Sequence, residues 1–591
     1  MLVSDYVAEF LVKVGIRDVF FLDGSAVASL LVGVANNKKL KYWCPLHEQA
    51  GSFMVDGYYK ASHKLSVMLA TSGPGGQNLL NGIAASYYDS IPAFYITGQI
   101  NSRFIKPSNE IRQHGFQEND IVSMAKPITK FATMVLKPEY IRYELEKAYY
   151  LATSGRPGPV LIDIPMDIQK SEINPDKLER YYPMLNHDFS LPTKIGKVVK
   201  MLYSAERPAI LLGGGVWLAH GVRDAKKLMN KMKKVPAFVT WNMMDYYDPK
   251  HYGGKIGTFG GDGRNFGIQN CDLLIAIGSR VSGRITGGMI DTFARCAKKV
   301  IVDIDAKELE HQQVKGDLNI DMDAKEFLEL LHKAIKPSQI KCSKRWLTKV
   351  LAWQKKYPVP IDAPAKAVNP YALVKKLSGV MKKGDILVHE AGGNCVVTSQ
   401  AFVQKDGQRV FTNNGNSSLG YALPAAIGAA IATRKPVYCI VGDGGMNFNI
   451  QELQTLKHYN LPVRVLIFNN YEFGITKAYR ETHFKSNYAG VDAKHGLSSP
   501  DFVAVAKAYG LDTMRIESPA EMSKLSRLPN KKRPIVVDIN MDGFHNYMPK
   551  LGWGTPIEDQ YPFLDRDEFK KNMIIDPYPG WEDPKYPGPV K

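Results

Sequence analysis

The stretch that decides the fold is VGDGGMNFNIQELQTLKHYNLPVRVLIFNNYEFGI, residues 441–475. An apolar run, PVYCIV (436–441), ends in Gly442-Asp443-Gly444-Gly445. A helical pattern follows, and a second apolar run, VRVLIF (463–468), ends in Asn469-Asn470. Two near-continuous apolar strands joined through a helix form a parallel crossover. In an open parallel sheet both strand ends lie at the carboxyl edge, where ligands bind. Asp443 and Asn470, 27 residues apart, therefore meet at one edge. A carboxylate and an amide oxygen are hard ligands that suit Mg²⁺, which takes one or two protein groups and keeps phosphate oxygens. The glycines admit a diphosphate, and the helix N-terminus favours its charge. Singly, Gly-Asp-Gly is a tight turn and Asn-Asn a loop end. Together they predict a cofactor site of Gly442, Asp443, Gly444, Gly445 and Asn470, continued by Gly474 and Ile475.

The same pattern runs outward along the chain. VFFL (19–22), LSVMLAT (65–71), AFYIT (93–97) and GPVLIDI (158–164) read as buried strands, as do PAILLGGG (208–215), DLLIAIG (272–278), KVIVDID (299–305) and DILVHEA (385–391). Helical patterns separate them. The fold class is α/β, with doubly wound parallel sheets. Linker-like stretches at 186–194 and 357–370 divide the chain. They predict an N-terminal unit at 1–185, a central one at 190–355 and a C-terminal one at 366–550. The Pro- and aromatic-rich residues 551–591 read as a tail over the surface. The first and third units have similar strand patterns.

The chain has 591 residues, 45% of them hydrophobic and 23% charged, an ordinary globular balance. No apolar run reaches the roughly 18–20 residues a membrane span needs. The N-terminus carries Asp5 and Glu9 and reads as an amphipathic helix instead of a signal peptide. The six cysteines form no CxxC pair or zinc spacing, which fits a reducing compartment. The sequence thus predicts a cytoplasmic protein without membrane attachment. The net charge is +18, but the cations are scattered and not interleaved with aromatics. That argues against nucleic acid and for small anionic molecules.

Two further segments carry chemistry. In PLHEQAGSFMVDGYYKAS (45–62), Glu48 opens an apolar helix, and ATSGPGGQNLLNGI (70–83) supplies a second glycine turn. In FTNNGNSSLGYALPAAIGAA (411–430), Leu419 precedes a glycine turn and a small-residue helix. With HEQ (47–49), TGQI (97–100), GFQEND (115–120), ATSGRPGPVLIDIP (152–165) and CDLLIAIGSR (271–280), residues 4–545 resemble the thiamine-diphosphate-dependent enzymes, specifically acetolactate synthase large subunits. The resemblance implies a pyrimidine-binding first domain, an FAD-type central domain and a diphosphate-binding third domain. It places Glu48 on the aminopyrimidine ring, where a carboxyl helps move the activating proton, and Gln117 in the active site. Gly73 and Asn78 join the cofactor contacts, and Leu419 lies under the bent cofactor. The third metal ligand becomes the backbone carbonyl of Glu472. It also implies an active site shared between subunits, hence a homodimer or homotetramer.

For FAD the matching residues are Arg156, Gly213, Gly214, Gly215, Gly257, Arg280, Arg284 and Asp303. There are departures. NSRFIKPSNEIRQH (101–114) is longer than the family's loop, Ser282-Gly283 replaces an acidic pair, and Tyr479 stands where a selectivity tryptophan is usual. The expected reaction is decarboxylation of a 2-oxo acid, pyruvate first, with ligation of the two-carbon unit to a second carbonyl compound. The alternatives are a larger anionic acceptor, such as a keto-sugar nucleotide, or simple decarboxylation to an aldehyde. A non-catalytic binding protein would need a broken catalytic set, whereas Glu48, Asp443 and Asn470 are all present.

Overall fold

The structure is a computed structural model. It describes residues 1–591 except 109, 184–190, 360–364, 485–486, 552–553 and 585–591. Parts of both expected linkers, 186–190 and 360–364, thus lie outside the described residues.

Three six-stranded sheets, all parallel, account for the architecture. The first comprises β1 (Asp18–Phe21), β2 (Lys41–Trp43), β3 (Val67–Ala70), β4 (Phe94–Gln99), β5 (Phe131–Met134) and β6 (Val160–Pro165). The central sheet comprises β7 (Pro208–Leu212), β8 (Ala237–Val239), β9 (Tyr252–Lys255), β10 (Leu273–Ile277), β11 (Lys298–Asp303) and β12 (Leu318–Asp321). The third comprises β13 (Ile386–His389), β14 (Arg409–Phe411), β15 (Val437–Gly442), β16 (Val463–Asn469), β17 (Asp512–Ile516) and β18 (Ile535–Asn540). Strands β3, β4, β6, β7, β10, β15 and β16 are buried along their whole length. Such strands are the continuous apolar runs of the sequence, covered by helices on both faces.

Strand order positions the sites. The first sheet runs β2-β1-β3-β4-β6-β5 and the third β14-β13-β15-β16-β18-β17. Renumbered within each unit, these are one topology. The central sheet runs β9-β8-β7-β10-β11-β12, the order of dinucleotide-binding sheets, with its switch point between β7 and β10. The first and third units meet through equivalent helices, α1 (Glu48–Ser62) and α2 (Ala422–Thr433). Glycines permit the close crossing. A Cβ on Gly57 would lie 2.2 Å from the Ala425 carbonyl oxygen, and one on Gly428 2.0 Å from that of Met54.

The expected surface tail is corrected by the structure. Ile557, Phe569 and Tyr578 belong to the hydrophobic core of the central sheet. The Gln269 side-chain amide and Arg295 guanidinium both donate to the buried Glu558 carboxylate, at 2.7 and 2.8 Å. Arg264 donates to the Gln560 and Pro562 carbonyls, and Trp353 Nε1 to the Asn572 amide oxygen at 2.8 Å. The central sheet needs this segment because the helix Lys344–Lys356 and the turn at 262–265 leave their donors inward. A buried donor without a partner costs about 1–3 kcal/mol.

Candidate active site

β15 and β16 deliver their ends to one edge, as parallel register requires: Gly442 pairs with Phe468, one residue short of Asn469. Asp443 opens the short helix Asp443–Phe448 that follows β15 directly, and the loop after β16 holds Asn470 and Glu472. With Leu419, Gly442, Gly444, Gly445, Gly474 and Ile475 they line a cavity of about 210 Å³. Asp443 is 3% exposed. Its carboxylate accepts from Ser499 Oγ at 3.2 Å and from the Gly444 N–H. Burial pushes its pKa up to about 7, because desolvation disfavours the charged form. Asn470 gives its Nδ2 to the Phe544 carbonyl at 2.8 Å, which leaves the amide oxygen to offer. The Glu472 side chain is taken by Lys477 at 2.5 Å and lies 3.1 Å from His545 Nδ1. Its backbone carbonyl, which already accepts the Gly474 N–H at 3.0 Å, is the candidate ligand, and the buried Oε1 of the side chain also lacks a hydrogen-bond partner among the described residues. Buried carboxylate, amide oxygen and carbonyl form a hard-oxygen set, and side-chain-free glycines face the same space. The fit to a magnesium diphosphate is good on both counts.

The first sheet assembles a separate cluster. Asn78 Nδ2 donates to Glu48 Oε2 at 3.0 Å. A Cβ on Gly75 would lie 3.3 Å from Glu48 Oε1, and one on Gly73 2.9 Å from the Gln117 carbonyl oxygen. Glu48, Gly73, Asn78 and Gln117 thus share one edge, but none of them lines the cavity of Asp443. Gln117, Ser417 and Tyr471 are non-glycine residues with positive φ, at 60°, 58° and 61°. Each stands in a turn beside a predicted site residue, where such strain commonly concentrates.

A buried chain fixes the Gln117 turn. Asn119 bonds both backbone groups of Gly73, at 3.3 and 3.1 Å. Gln99 Nε2 donates to the Asn119 carbonyl at 2.8 Å and to Asp163 Oδ2 at 3.0 Å, and Thr97 Oγ1 donates to Asp163 Oδ1 at 2.7 Å. Asp163 is fully buried, and desolvation raises its pKa from 3.8 to about 7. Its folded pKa lies above the unfolded one, so its stabilising contribution is complete below about pH 4 and disappears as pH rises through about 7. The melting-temperature advantage of the parent over Asp163→Asn is therefore expected to shrink steadily from pH 5 to pH 8. A constant gap in differential scanning fluorimetry would show that Asp163 does not titrate in that range.

A larger cavity of about 690 Å³ lies between the central and first units, lined by Arg156, Gly214, Gly215, Arg280, Arg284 and Asp303 among others. Gly213 and Gly257 are not on its wall. A Cβ on Gly213 would lie 2.2 Å from the Gly278 carbonyl oxygen, and Gly257 takes φ +141°, so both act as packing points of the turns. Arg156 is held by Asp305 at 3.1 Å and Glu308 at 2.5 Å. Trp241, on the same wall, has a buried indole N–H without a partner among the described residues. Tyr479 is 56% exposed, its ring tilted against those of His483 and Phe484. The described residues of 101–114 are largely exposed, and Phe116 beside Gln117 is 84% exposed.

Sequence reading missed Glu390, Asn394 and Tyr547, which also line the smaller cavity. For Glu390 and Asn394 the signal was present: DILVHEAGGN (385–394) repeats the motif of an apolar strand followed by an acid and two glycines.

Three family profiles match in order: "Thiamine pyrophosphate enzyme, N-terminal TPP binding domain" over residues 1–124, its central domain over 195–331, and its C-terminal TPP binding domain over 390–539. A probable acetolactate synthase large subunit of Methanocaldococcus jannaschii is 34% identical, over 89% of this chain and 90% of that protein. The acetolactate synthase large subunit of Cyanidium caldarium is 30% identical over 92% and 94%, and isozyme 2 of Escherichia coli 29% over 93% and 98%.

Proposed function

The chain belongs to the thiamine pyrophosphate enzymes, on the branch of the acetolactate synthase large subunits, and on that footing we propose that it decarboxylates pyruvate and joins the two-carbon unit to a second carbonyl compound. With pyruvate as acceptor the product is 2-acetolactate. The observation that carries this reading is the single cavity in which Asp443, Asn470, Leu419 and the Gly442–Gly445 turn face one another.

When bound, thiamine diphosphate supplies the electron sink that takes the electron pair left by departing CO₂. The chain's residues do the rest. Asp443, Asn470 and the Glu472 carbonyl would hold Mg²⁺, and the glycines at the start of the helix Asp443–Phe448 would receive the diphosphate. Leu419 would support the cofactor. Glu48 keeps Oε2 on Asn78, and its Oε1 would hold the proton for the aminopyrimidine ring. Gln117 orients the substrate. Glu48 and Asp443 belong to different clusters within one chain, so we assign the complete site to a homodimer, with pairing into a tetramer open to the same contacts. The larger cavity would hold FAD, a reading supported by the dinucleotide strand order, the three arginines, Asp303 and the Trp241 N–H that has no partner among the described residues.

Asp443→Asn tests the metal assignment. Loss of a ligand carboxylate is expected to weaken Mg²⁺-dependent cofactor binding by at least the roughly 10–100-fold that outer-shell changes cost. Titration of the purified variant with Mg²⁺ at fixed thiamine diphosphate measures it, and unchanged half-saturation would remove Asp443 from the metal.

A specific observation favours a larger anionic acceptor, such as a keto-sugar nucleotide, as the second reading. Arg103, Lys106 and Arg112 lie in the exposed 101–114 segment, and Phe116 projects beside Gln117. Mass spectrometry of products from pyruvate alone and with candidate acceptors decides between the two. Acetolactate from pyruvate alone supports the first. Ligation only with an added acceptor supports the second. Free acetaldehyde alone counts against both.

A further inference from the structure

Leu419 sits in a stretch without regular structure, so its position is decided by what holds its flanks. On one side the Asn414 and Gly415 N–H groups donate to the Asp89 carboxylate at 3.2 and 2.8 Å. Asp89 is itself paired with the buried Lys60 at 2.7 Å. On the other side α2 begins, and its Ncap residue Tyr421 makes no side-chain cap bond. The cap comes from a different strand end. Glu390, immediately after β13, accepts from the Ala422 N–H at 3.2 Å, with the Gly420 and Tyr421 N–H groups turned to the same carboxylate. Asn449 Nδ2 fixes the Gly420 carbonyl at 2.8 Å.

Glu390 also faces the other half of the cavity. It is 1% exposed and lines the same space as Leu419 and Asp443. A Cβ on Gly445 would lie 2.8 Å from Glu390 Cγ, so the side chain is seated against the diphosphate turn. Burying a carboxylate at such a place is expensive unless its hydrogen bonds are needed. An apolar residue would fill the volume equally well but leave the orphan N–H groups of α2 unsatisfied. The glycine at 445 is explained by the same contact: any side chain there would displace Glu390.

We propose that Glu390 is a positioning residue for the thiamine-diphosphate reaction, one that sets Leu419 at its height under the cofactor by capping α2 while packing against the Gly444–Gly445 turn. Glu390 touches no reacting atom. It fixes the spacing between the support under the cofactor and the turn that receives the diphosphate. The inference rests on the assignment of Leu419 as that support.

The test uses the full-length chain and four variants: Glu390→Gln, Glu390→Asp, Leu419→Ala and the Glu390→Gln/Leu419→Ala double. Thiamine diphosphate is titrated at saturating Mg²⁺ by intrinsic fluorescence, near-ultraviolet circular dichroism records the bound cofactor, and melting temperature monitors folding. Glu390→Gln presents an amide N–H₂ among N–H donors and is expected to raise the half-saturating concentration about tenfold, as loss of charge-assisted hydrogen bonds does. It should also alter the circular dichroism of the bound cofactor. In the Leu419→Ala background the added effect should fall below about twofold, because residues acting as one unit are not additive. An unchanged affinity and spectrum in Glu390→Gln, or an undiminished effect in the double variant, overturns the proposal. Leu419→Ala with binding and spectrum like the parent overturns the Leu419 assignment and this inference with it. Should Glu390→Gln not fold, Glu390→Asp carries the same expectations, since it keeps the charge and withdraws the oxygens by one methylene.

Discussion

Purified Glu48→Gln protein is expected to bind thiamine diphosphate and Mg²⁺ yet turn over a 2-oxo acid about 10²–10⁴-fold more slowly than the parent, the usual contribution of a positioned general acid or base. The substitution preserves shape, and its amide oxygen can still accept from Asn78, which now bonds Glu48 Oε2 at 3.0 Å. Nothing in the Mg²⁺ cluster is touched, because Glu48 does not line that cavity. Only the capacity to hold and release a proton is lost. Steady-state kinetics beside a thiamine diphosphate titration measure both halves of the expectation. A variant retaining more than a tenth of parental turnover would end the role assigned to Glu48. The same reasoning predicts complementation. Glu48→Gln and Asp443→Asn chains, each nearly inactive alone, should recover about a quarter of parental activity when co-expressed in equal amounts. Half of randomly paired dimers are mixed, and each mixed dimer rebuilds one of its two sites. No recovery in verified mixed dimers would place both residues in a site within one chain.

A chain stopped after Thr555 is expected to lose the central unit altogether. The truncation removes Ile557, Phe569 and Tyr578 from the core of that sheet, and each large side chain contributes about 1.5–3 kcal/mol by burial. It also strips one partner each from Gln269 and Asn270, which keep a second acceptor, and leaves Arg264 and Trp353 without theirs, at about 1–3 kcal/mol for each buried donor left unsatisfied. The sum reaches the 5–15 kcal/mol that holds a typical domain together. Limited proteolysis should therefore cut the truncated chain between 195 and 355 while sparing the parent. The single change Phe569→Ala, at a fully buried position, should cost about 3–5 kcal/mol in a denaturant titration. A truncated chain with parental protease resistance would mean that the segment covers the core without completing it.

The sequence was legible where one local pattern determines one element. Buried parallel strands leave continuous apolar runs, so β15 with its glycine end and β16 with its asparagine end could be placed from residues 436–475 alone. Asp443 and Asn470 followed from strand spacing because parallel register fixes which ends share an edge. Glu390 escaped because its role depends on α2, whose first N–H group reaches it from 32 residues further on. The segment after 551 was misread for a related reason. Its Pro and aromatic residues are spaced without a helical or strand period, and only the facing donors of the 264–270 turn reveal that Glu558 and Asn572 point inward. Gly213 and Gly257 were read as ligand contacts, whereas their freedom is spent on close packing of turns. The matching topology of the first and third units was visible only as a likeness of strand patterns, since strand order is a property of the folded sheet.

The inward docking of the last segment has a consequence for how the chain comes off the ribosome. The core of the central sheet is spoken early, with its last strand ending at Asp321 and its last helix at Lys356. Its closing residues, from Ile557 to Tyr578, are about 200 positions later, roughly 10–40 s at ordinary elongation rates. The first unit can close as soon as it emerges. The third is nearly complete before the middle is sealed. The middle of this protein is thus the last part to become finished, and for that interval its open core is the surface a chaperone would hold.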